Sequence, residues 1–269
     1  MNSLSDKKSR ILVSVITVVY NGGVLIEDTI KSIINQTYSN IEYIIIDGES
    51  TDCTLEIINK YKDQISKIVS EKDNGLYDAM NKGITLARGE LIGILNAGDF
   101  YKPNCVEYAV RSYLENPEAI IHGNHIRIHE FKEFCHFENV YRKYPNPTPN
   151  EAIKEKIFHV SCFIPKKIYE KYGRYDLQYN IVADIDFFTR TMLEDVNYKF
   201  IPDILVSFRS GGLSSGIKAQ KEVLKICKKY GLKERNKVQK KIIKLYLVKT
   251  IGLLINHNNR RKKKFLKDA

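Results

Sequence analysis

The sequence predicts an α/β protein with a mostly parallel sheet flanked by helices. Its 269 residues are 43% apolar, which is enough to bury a sizeable core. From residue 11 to residue 99, runs rich in Ile and Val alternate with segments of helical period. This alternation is typical of a doubly wound sheet. No run reaches the roughly 18 apolar residues that a membrane-spanning helix needs.

Four strands and three helices are predicted along the first part of the chain. The strands are expected in residues 11–20, 41–50, 65–75 and 89–99. The helices are expected in residues 25–37, 50–65 and 76–89. Ser or Thr caps open the second helix, and Gly89 ends the third.

The pattern is looser after Asp99. Helices are expected in residues 104–117 and 182–195, strands in 119–129 and 198–212, and a strand followed by a helix in 161–176. The segment PNPTPNE at 145–151 is too polar and too rich in proline for a core element, so a loop is expected there. The second half of the chain does not repeat the first. A second substrate is expected to bind there.

Charge and cysteine content narrow the class of protein. Much of the formal net charge of +11 lies after residue 218, where an anionic membrane surface or nucleic acid could be the partner. Five cysteines without a CxxC spacing suggest a reducing cytosol rather than a disulfide framework or a zinc site.

Polar residues follow each of the four predicted strands. They are Tyr20 and Asn21, then Asp47, then Asp73, then Asn96 and Asp99. If the sheet is parallel, these residues meet at one edge, where such sheets bind ligands. Carboxylates there could bind ribose and base, with a divalent cation on a diphosphate. Each residue also has a simpler interpretation, because these sequences form ordinary turns and Asp52 is a good helix cap.

Two segments carry a resemblance to a known family. The segment SVITVVYNGGVLIEDTIKSIINQTYSNIEYIIIDGESTDCT resembles the nucleotide-binding half of the inverting family 2 glycosyltransferases, as does DNGLYDAMNKGITLARGELIGILNAGD after it. The similarity covers residues 11–105 closely and 159–214 more loosely. It implies the glycosyltransferase-A fold, a Rossmann-like arrangement with a mostly parallel sheet, and here a C-terminal helical extension.

The resemblance assigns expected donor contacts residue by residue. Thr17 and Tyr20 match the backbone and aromatic contacts to the nucleotide base, next to Asn21 of the same motif. Asp47 matches a carboxylate that binds base or ribose, Asp73 approaches the base from the other side, and Asn81 lies near sugar or phosphate. Plain packing at a strand end is the alternative for Tyr20.

The family usually has an Asp-x-Asp or Asp-Asp motif after the fourth strand, where a carboxylate coordinates a cation. This chain has Asn96-Ala97-Gly98-Asp99. The resemblance therefore implies that Asp99 is the ligand of Mn²⁺ or Mg²⁺, with Asn96 as a neutral partner of ribose or donor sugar. A turn cap is the alternative for Asp99.

The resemblance also implies the chemistry on the acceptor side. Asp184, in NIVADIDFFTRT, matches the general base that deprotonates the acceptor hydroxyl, and Asp186 is a second carboxylate. Both could instead only favour the positive N-terminus of a helix. His159 aligns with a histidine near the acceptor, although a structural role is an equal alternative. Arg209, Gly211 and Gly212 form a loop that could close over a diphosphate, with a surface hairpin as the alternative.

These assignments predict a catalytic domain over residues 1–217. Its donor half is expected in residues 10–105 and its acceptor half in 106–217, followed by a basic amphipathic helical tail at 218–269. The expected partners are a nucleotide-sugar donor, with UDP as the nucleotide that the resemblance implies, and a saccharide or lipid-linked acceptor. The tail is expected to hold the protein on the inner face of the bacterial plasma membrane, or else to pack on its own domain.

Two other functions fit the sequence less well. A basic nucleic-acid-binding protein is disfavoured because the charge is terminal and aromatic residues do not interleave with it. A nucleotidyltransferase normally has a cationic Gly-rich loop after its first strand, and YNGG followed by VLIEDT lacks that cation.

Overall fold

The computed structural model describes residues 11–130, 135–140, 147–153, 157–209 and 216–244. The chain divides into two compact units, residues 1–212 and 213–269. Expectations for Gly211 and Gly212, and for the tail after residue 244, lie outside the described residues.

The first unit begins with four parallel strands. Strands β1 (Val13–Val19), β2 (Ile41–Asp47), β3 (Lys67–Ser70) and β4 (Leu91–Asn96) form a sheet in the order β3-β2-β1-β4. All seven residues of β1 are buried, as expected of a strand covered on both faces. Helices α1 (Leu25–Ile34), α2 (Thr54–Lys60) and α3 (Leu76–Leu86) connect them, and residues Lys62–Gln64 form a short 3₁₀ turn.

Further strands extend the sheet beyond β4. They are β5 (Phe100–Tyr101), β6 (Ile120–Glu130), β7 (Cys135–Val140), β8 (Cys162–Pro165) and β9 (Tyr198–Arg209). The described residues form one sheet in the order β3-β2-β1-β4-β8-β6-β9-β5, with β7 paired to β6. Pairing is antiparallel between β4 and β8, β8 and β6, β6 and β7, and β9 and β5, whereas β6 and β9 are parallel.

The remaining helices of this unit lie between these strands. They are α4 (Cys105–Glu115), α5 (Pro149–Ile153), a 3₁₀ turn at His159–Ser161, α6 (Lys166–Tyr172) and α7 (Ala183–Leu193). The expected loop at 145–151 is therefore partly helical from Pro149, because a proline fits the first turn of a helix. The fold is α/β, as the sequence predicts.

Helix α3 is held close to the sheet by a glycine. A Cβ atom on Gly83 would lie 2.4 Å from Cγ2 of Ile16 on β1, so only glycine allows this approach of helix and strand. The close contact fixes the position of Tyr77 and Asn81, which lie on the same helix.

The second unit contains helix α8 (Ile217–Lys229) and a further helical stretch at residues 235–244. Buried residues of α8 recur at helical spacing, and its lysines are exposed. The buried ones are Ala219, Gln220, Val223, Ile226 and Cys227. Among the residues that the structure describes, no helix is both long enough and apolar enough to cross a membrane.

Candidate active site

The loops after β1 and β2 are joined by side chains at the sheet edge. The backbone N–H of Asn21 donates to Ser50 Oγ at 2.8 Å, and Thr51 N–H donates to Asn21 Oδ1 at 2.9 Å. Asn21 has φ +49°, a left-handed conformation that asparagine tolerates better than most residues. These bonds hold the two loops together where the parallel strands end.

Asp47 is completely buried at the end of β2, opposite Val19 of β1. Its Oδ2 accepts hydrogen bonds from Ser50 N–H at 3.0 Å and Ser70 Oγ at 2.7 Å. Its Oδ1 has no hydrogen-bond partner among the described residues. A buried carboxylate oxygen without a hydrogen-bond donor costs free energy of folding. Oδ1 of Asp47 is therefore a candidate contact for a ligand.

Asp73 and Tyr20 lie beside the same strand end. A Cβ atom on Gly48 would be 2.4 Å from Asp73 Oδ2 and 3.5 Å from Tyr20 Cβ, so Gly48 makes room for the Asp73 carboxylate. Tyr20 is 65% exposed, which argues against plain packing. The structure therefore brings Tyr20, Asn21, Asp47 and Asp73 together.

The side chains of two residues with expected donor contacts make hydrogen bonds within the fold. Thr17 is fully buried within β1, and its hydroxyl accepts a hydrogen bond from Tyr43 at 3.1 Å. The Asn81 amide donates to Tyr175 O at 2.8 Å and accepts from Tyr175 N–H at 3.1 Å. Both groups of the Asn81 amide thus connect α3 to the backbone near residue 175.

Asp99 lies in a tight turn after β4. Gly98 has φ +93°, and the side chain of Thr29 on α1 hydrogen-bonds the turn. Its hydroxyl accepts from Gly98 N–H at 2.9 Å and donates to Asp99 O at 2.8 Å. The carboxylate accepts the Arg209 backbone N–H at 2.9 Å. Burial raises the pKa of Asp99 to about 7, although the Arg209 backbone N–H and the nearby His159 and Arg209 side chains oppose this.

Asn96 lies between Asp99 and His159. Its backbone oxygen accepts a hydrogen bond from Asp99 N–H at 3.0 Å, and its Nδ2 lies 3.3 Å from Nε2 of His159. Its Oδ1 is buried with no hydrogen-bond partner in the described part of the chain. A carboxylate and an amide oxygen are hard oxygen donors of the kind that Mg²⁺ and Mn²⁺ accept, with waters and phosphate oxygens completing the shell. The donor set fits such a cation, although the described residues contain no group of three or more His, Cys, Asp or Glu side chains placed to hold a metal ion together.

Asp184 lies in the first turn of α7 and has three donors. His159 Nδ1 is 3.1 Å from Oδ2, while Tyr77 Oη at 2.8 Å and Ile185 N at 2.9 Å contact Oδ1. His159 therefore links Asp184 to Asn96, and Asn96 links it to Asp99. The two carboxylates assigned to metal and base belong to one hydrogen-bonded cluster.

Asp186 has a different environment from Asp184. It is completely buried, and its Oδ2 lies 3.4 Å from Nε of Arg190, one turn further along α7. The Arg190 guanidinium also donates to the backbone oxygens of Tyr172 and Arg174. The Asp186 carboxylate thus connects α7 to the rest of the fold through Arg190. Asp184 and Asp186 differ in environment because residues two apart do not share a helix face.

Arg209 contacts the Gly98–Asp99 turn of the cluster. Its Nε donates to Gly98 O at 3.0 Å, and its Nη2 lies 3.6 Å from Asp28 Oδ2. The sequence analysis missed two members of the cluster, Thr29 and Tyr77. Both occur at apolar-face positions of helices, where nothing distinguishes them from core residues.

The comparisons with known proteins agree with this architecture. The family model described as glycosyl transferase family 2 matches residues 14–173, more than half of the chain. The chain belongs to glycosyl transferase family 2. The comparisons favour neither alternative function. An uncharacterized glycosyltransferase of Rickettsia typhi is 28% identical over 204 residues, covering 74% of this chain and 64% of the relative.

Two solved structures share the fold. S. aureus TarS 1–349 in complex with UDP has a TM-score of 0.65 at 16% identity, covering 80% of this chain and 64% of that one. The mannosyltransferase PcManGT from Pyrobaculum calidifontis, in complex with GDP-Man and Mn²⁺, has a TM-score of 0.62 at 19% identity, covering 82% and 64%. This family 2 chain thus spans 64% of the length of each of these three proteins.

Proposed function

We propose that this protein is an inverting glycosyltransferase that moves a sugar from a nucleotide diphosphate, with UDP as the expected nucleotide, to a hydroxyl of a glycan or lipid-linked saccharide. The observation that supports this is the cluster in which contacts join Asp184 to His159, His159 to Asn96, and Asn96 to Asp99. Such a cluster has a candidate base on one side and a candidate cation ligand on the other.

The donor would occupy the edge formed by β1, β2 and β4. The unpartnered Oδ1 of Asp47 is an acceptor for a base N–H or a ribose hydroxyl, and the exposed Tyr20 ring is available for stacking. The Asp73 carboxylate, which lies against Gly48, would contact the base or ribose from the other side. UDP in TarS and GDP-Man in PcManGT support a nucleotide ligand for this fold.

Asp99 and Asn96 would hold a divalent cation on the diphosphate. When bound, Mn²⁺ or Mg²⁺ would neutralise the charge that develops on the leaving diphosphate. The Mn²⁺ in PcManGT supports this assignment. Arg209, which already contacts the Gly98–Asp99 turn, would add positive charge beside the phosphates.

Asp184 would serve as the general base. It takes the proton of the acceptor hydroxyl as that oxygen forms a bond to the anomeric carbon. The bond from that carbon to the diphosphate oxygen breaks on the opposite face, and its electron pair leaves with the diphosphate. The configuration at the anomeric carbon is therefore inverted. His159 holds the carboxylate in place from its Nδ1.

The biological setting follows from the family and from the basic tail. We infer that the product is a capsule, O-antigen or exopolysaccharide precursor made at the cytoplasmic face of the membrane. The exposed lysines of α8 would supply positive charge for such a surface.

Asp184→Asn is the decisive test. The variant should lower transfer by about 10²-fold or more, because general base catalysis contributes about 10²–10⁴-fold, while UDP binding by calorimetry is unchanged. Turnover is followed as nucleoside diphosphate released from UDP-glucose, UDP-galactose, UDP-N-acetylglucosamine and GDP-mannose with octyl glycoside acceptors.

Asp195→Asn is the matched control. Asp195 is exposed just beyond the other end of α7, at φ +53°, a conformation that asparagine also accepts, and its variant should transfer normally. Normal transfer by Asp184→Asn would remove the base assignment.

A further inference from the structure

We propose that Tyr77 is a positioning residue that orients the carboxylate of Asp184, an inference that rests on the function proposed above. Its hydroxyl lies 2.8 Å from Asp184 Oδ1, although the two residues are 107 apart in sequence. The Tyr77 side chain is buried. A phenol that donates to a carboxylate in a buried setting makes a strong, directional hydrogen bond.

The distribution of donors decides which oxygen of Asp184 is available. Oδ1 accepts from both Tyr77 Oη and the Ile185 N–H, whereas Oδ2 has His159 Nδ1 as its one partner among the described residues. A carboxylate oxygen has about two lone-pair sites, so Oδ1 is saturated and Oδ2 retains one. The acceptor proton would therefore go to Oδ2. Tyr77 determines this choice because its bond holds Oδ1 away from the acceptor.

The Tyr77 hydroxyl also lies 3.0 Å from the backbone oxygen of Ile181, just before α7. A phenol has one hydrogen, and the charged carboxylate is the stronger acceptor. The carbonyl fixes a second direction of approach, so the hydroxyl is held against the start of α7 rather than free to rotate away.

The ring of Tyr77 has a separate, packing role. Its centroid lies 5.2 Å from that of Tyr175, and Asn81, one turn along α3, binds both backbone groups of Tyr175. Tyr77 and Asn81 on α3 thus both contact Tyr175, in the segment that leads to α7. The ring and Asn81 set the position of this segment, and the hydroxyl alone reaches Asp184. Removing only the hydroxyl therefore separates positioning of the base from stability of the fold.

Tyr77→Phe tests the proposal. We expect kcat for nucleoside diphosphate release, with the donor–acceptor pair active in the panel above, to fall about tenfold, which corresponds to one hydrogen bond to a charged group. The donor KM, the affinity for UDP and Tm should change little. Replacing Tyr77 by 3-fluorotyrosine, which keeps the O–H donor, should retain the wild-type kcat. This second variant can still be measured if Tyr77→Phe does not fold.

Tyr198→Phe is the matched control. Tyr198 is also a buried tyrosine of the same unit, and its hydroxyl makes a 2.7 Å bond to Thr191 Oγ1 away from the cluster. Its variant should keep the wild-type kcat.

The outcomes separate this inference from the proposed function. A normal kcat for Tyr77→Phe beside an inactive Asp184→Asn overturns the role of Tyr77 and leaves the base in place. A fall in kcat that comes with equal losses of UDP affinity and Tm shows a general structural role and also overturns it. An active Asp184→Asn overturns the proposed base itself.

Discussion

His159 contacts Asp184 through one ring nitrogen and Asn96 through the other. Nδ1 lies 3.1 Å from Asp184 Oδ2, and Nε2 lies 3.3 Å from Asn96 Nδ2. A neutral imidazole with its proton on Nδ1 satisfies both contacts, because Nδ1 then donates to the carboxylate and Nε2 accepts from the amide. His159 thus joins the candidate base to the candidate metal site.

A pair of substitutions at His159 distinguishes these two contacts. In asparagine the amide nitrogen is attached to Cγ, as Nδ1 is in histidine, so His159→Asn can still donate to Asp184. Glutamine places its amide one bond further out, nearer the position of Nε2. We expect His159→Asn to keep kcat within about threefold and His159→Gln to lose about tenfold, the loss of one charge-assisted bond. Equal losses in the two variants, measured by nucleoside diphosphate release, would contradict this reading of Nδ1.

Removal of the Asp99 carboxylate should uncouple nucleotide binding from the cation. In the wild-type protein, UDP is expected to bind more tightly with Mn²⁺ than with EDTA, since the cation bridges the carboxylate and the diphosphate. In Asp99→Asn the benefit of Mn²⁺ should largely disappear. Calorimetric titration of UDP into both proteins, with and without Mn²⁺, measures this difference. An unchanged Mn²⁺ effect in the variant would exclude Asp99 as a ligand.

Asp99 should also make the metal-free protein less stable as pH rises. Its pKa is about 7 in the fold against an ordinary value of 3.8, so the folded state binds the extra proton between these values. The stabilising contribution is complete below pH 3.8 and is lost as the pH rises to 7. This loss amounts to about 4 kcal/mol at most, since one pKa unit is worth about 1.4 kcal/mol.

Urea unfolding in EDTA at several pH values between 5 and 8 measures the effect. The free energy of unfolding of the wild type should decline relative to that of Asp99→Asn up to pH 7, and the difference should then level off. Asp203→Asn, which removes an exposed carboxylate, is the control and should follow the wild type. A constant difference between wild type and Asp99→Asn at all pH values would show that Asp99 ionises normally.

The positions of Asp47, Asn96 and Asp99 at one edge of the sheet could be predicted from sequence. Parallel strands end at the same edge, and β1 pairs with both β2 and β4, so that Val19 lies opposite Asp47 and Val18 lies opposite Asn96. The strand ends can be located from the runs of Ile and Val, and polar residues beyond them must then converge. This part of the prediction depends on the backbone alone.

The partner of each side chain could not be predicted in the same way. Thr17 and Asn81 belong to the family motifs, yet their polar groups bond Tyr43 and Tyr175 within the fold. Tyr77 lies on the buried face of α3 and looks like a core aromatic in the sequence. Its contact with Asp184 depends on how the second half packs against the first, which no local pattern encodes.

The basic tail should bind anionic lipid through its charge. Substitution of four residues by glutamine should weaken binding of the full chain to phosphatidylglycerol vesicles, since each cation near such a surface is worth about 1 kcal/mol. The four are Arg260, Arg261, Lys262 and Lys263. The control replaces four exposed lysines of the first unit by glutamine, which should leave vesicle binding near the wild-type level. They are Lys60, Lys62, Lys67 and Lys72.

Co-sedimentation with vesicles at increasing salt measures the effect, and binding to duplex DNA under the same conditions tests the other polyanion. Vesicle binding should fall as salt rises, because exposed charges are screened. Equal weakening by the tail and control substitutions would show that net charge, rather than the tail, attracts the lipid. Tight DNA binding that the tail substitutions abolish, without any vesicle binding, would replace the membrane by nucleic acid as the partner of the tail.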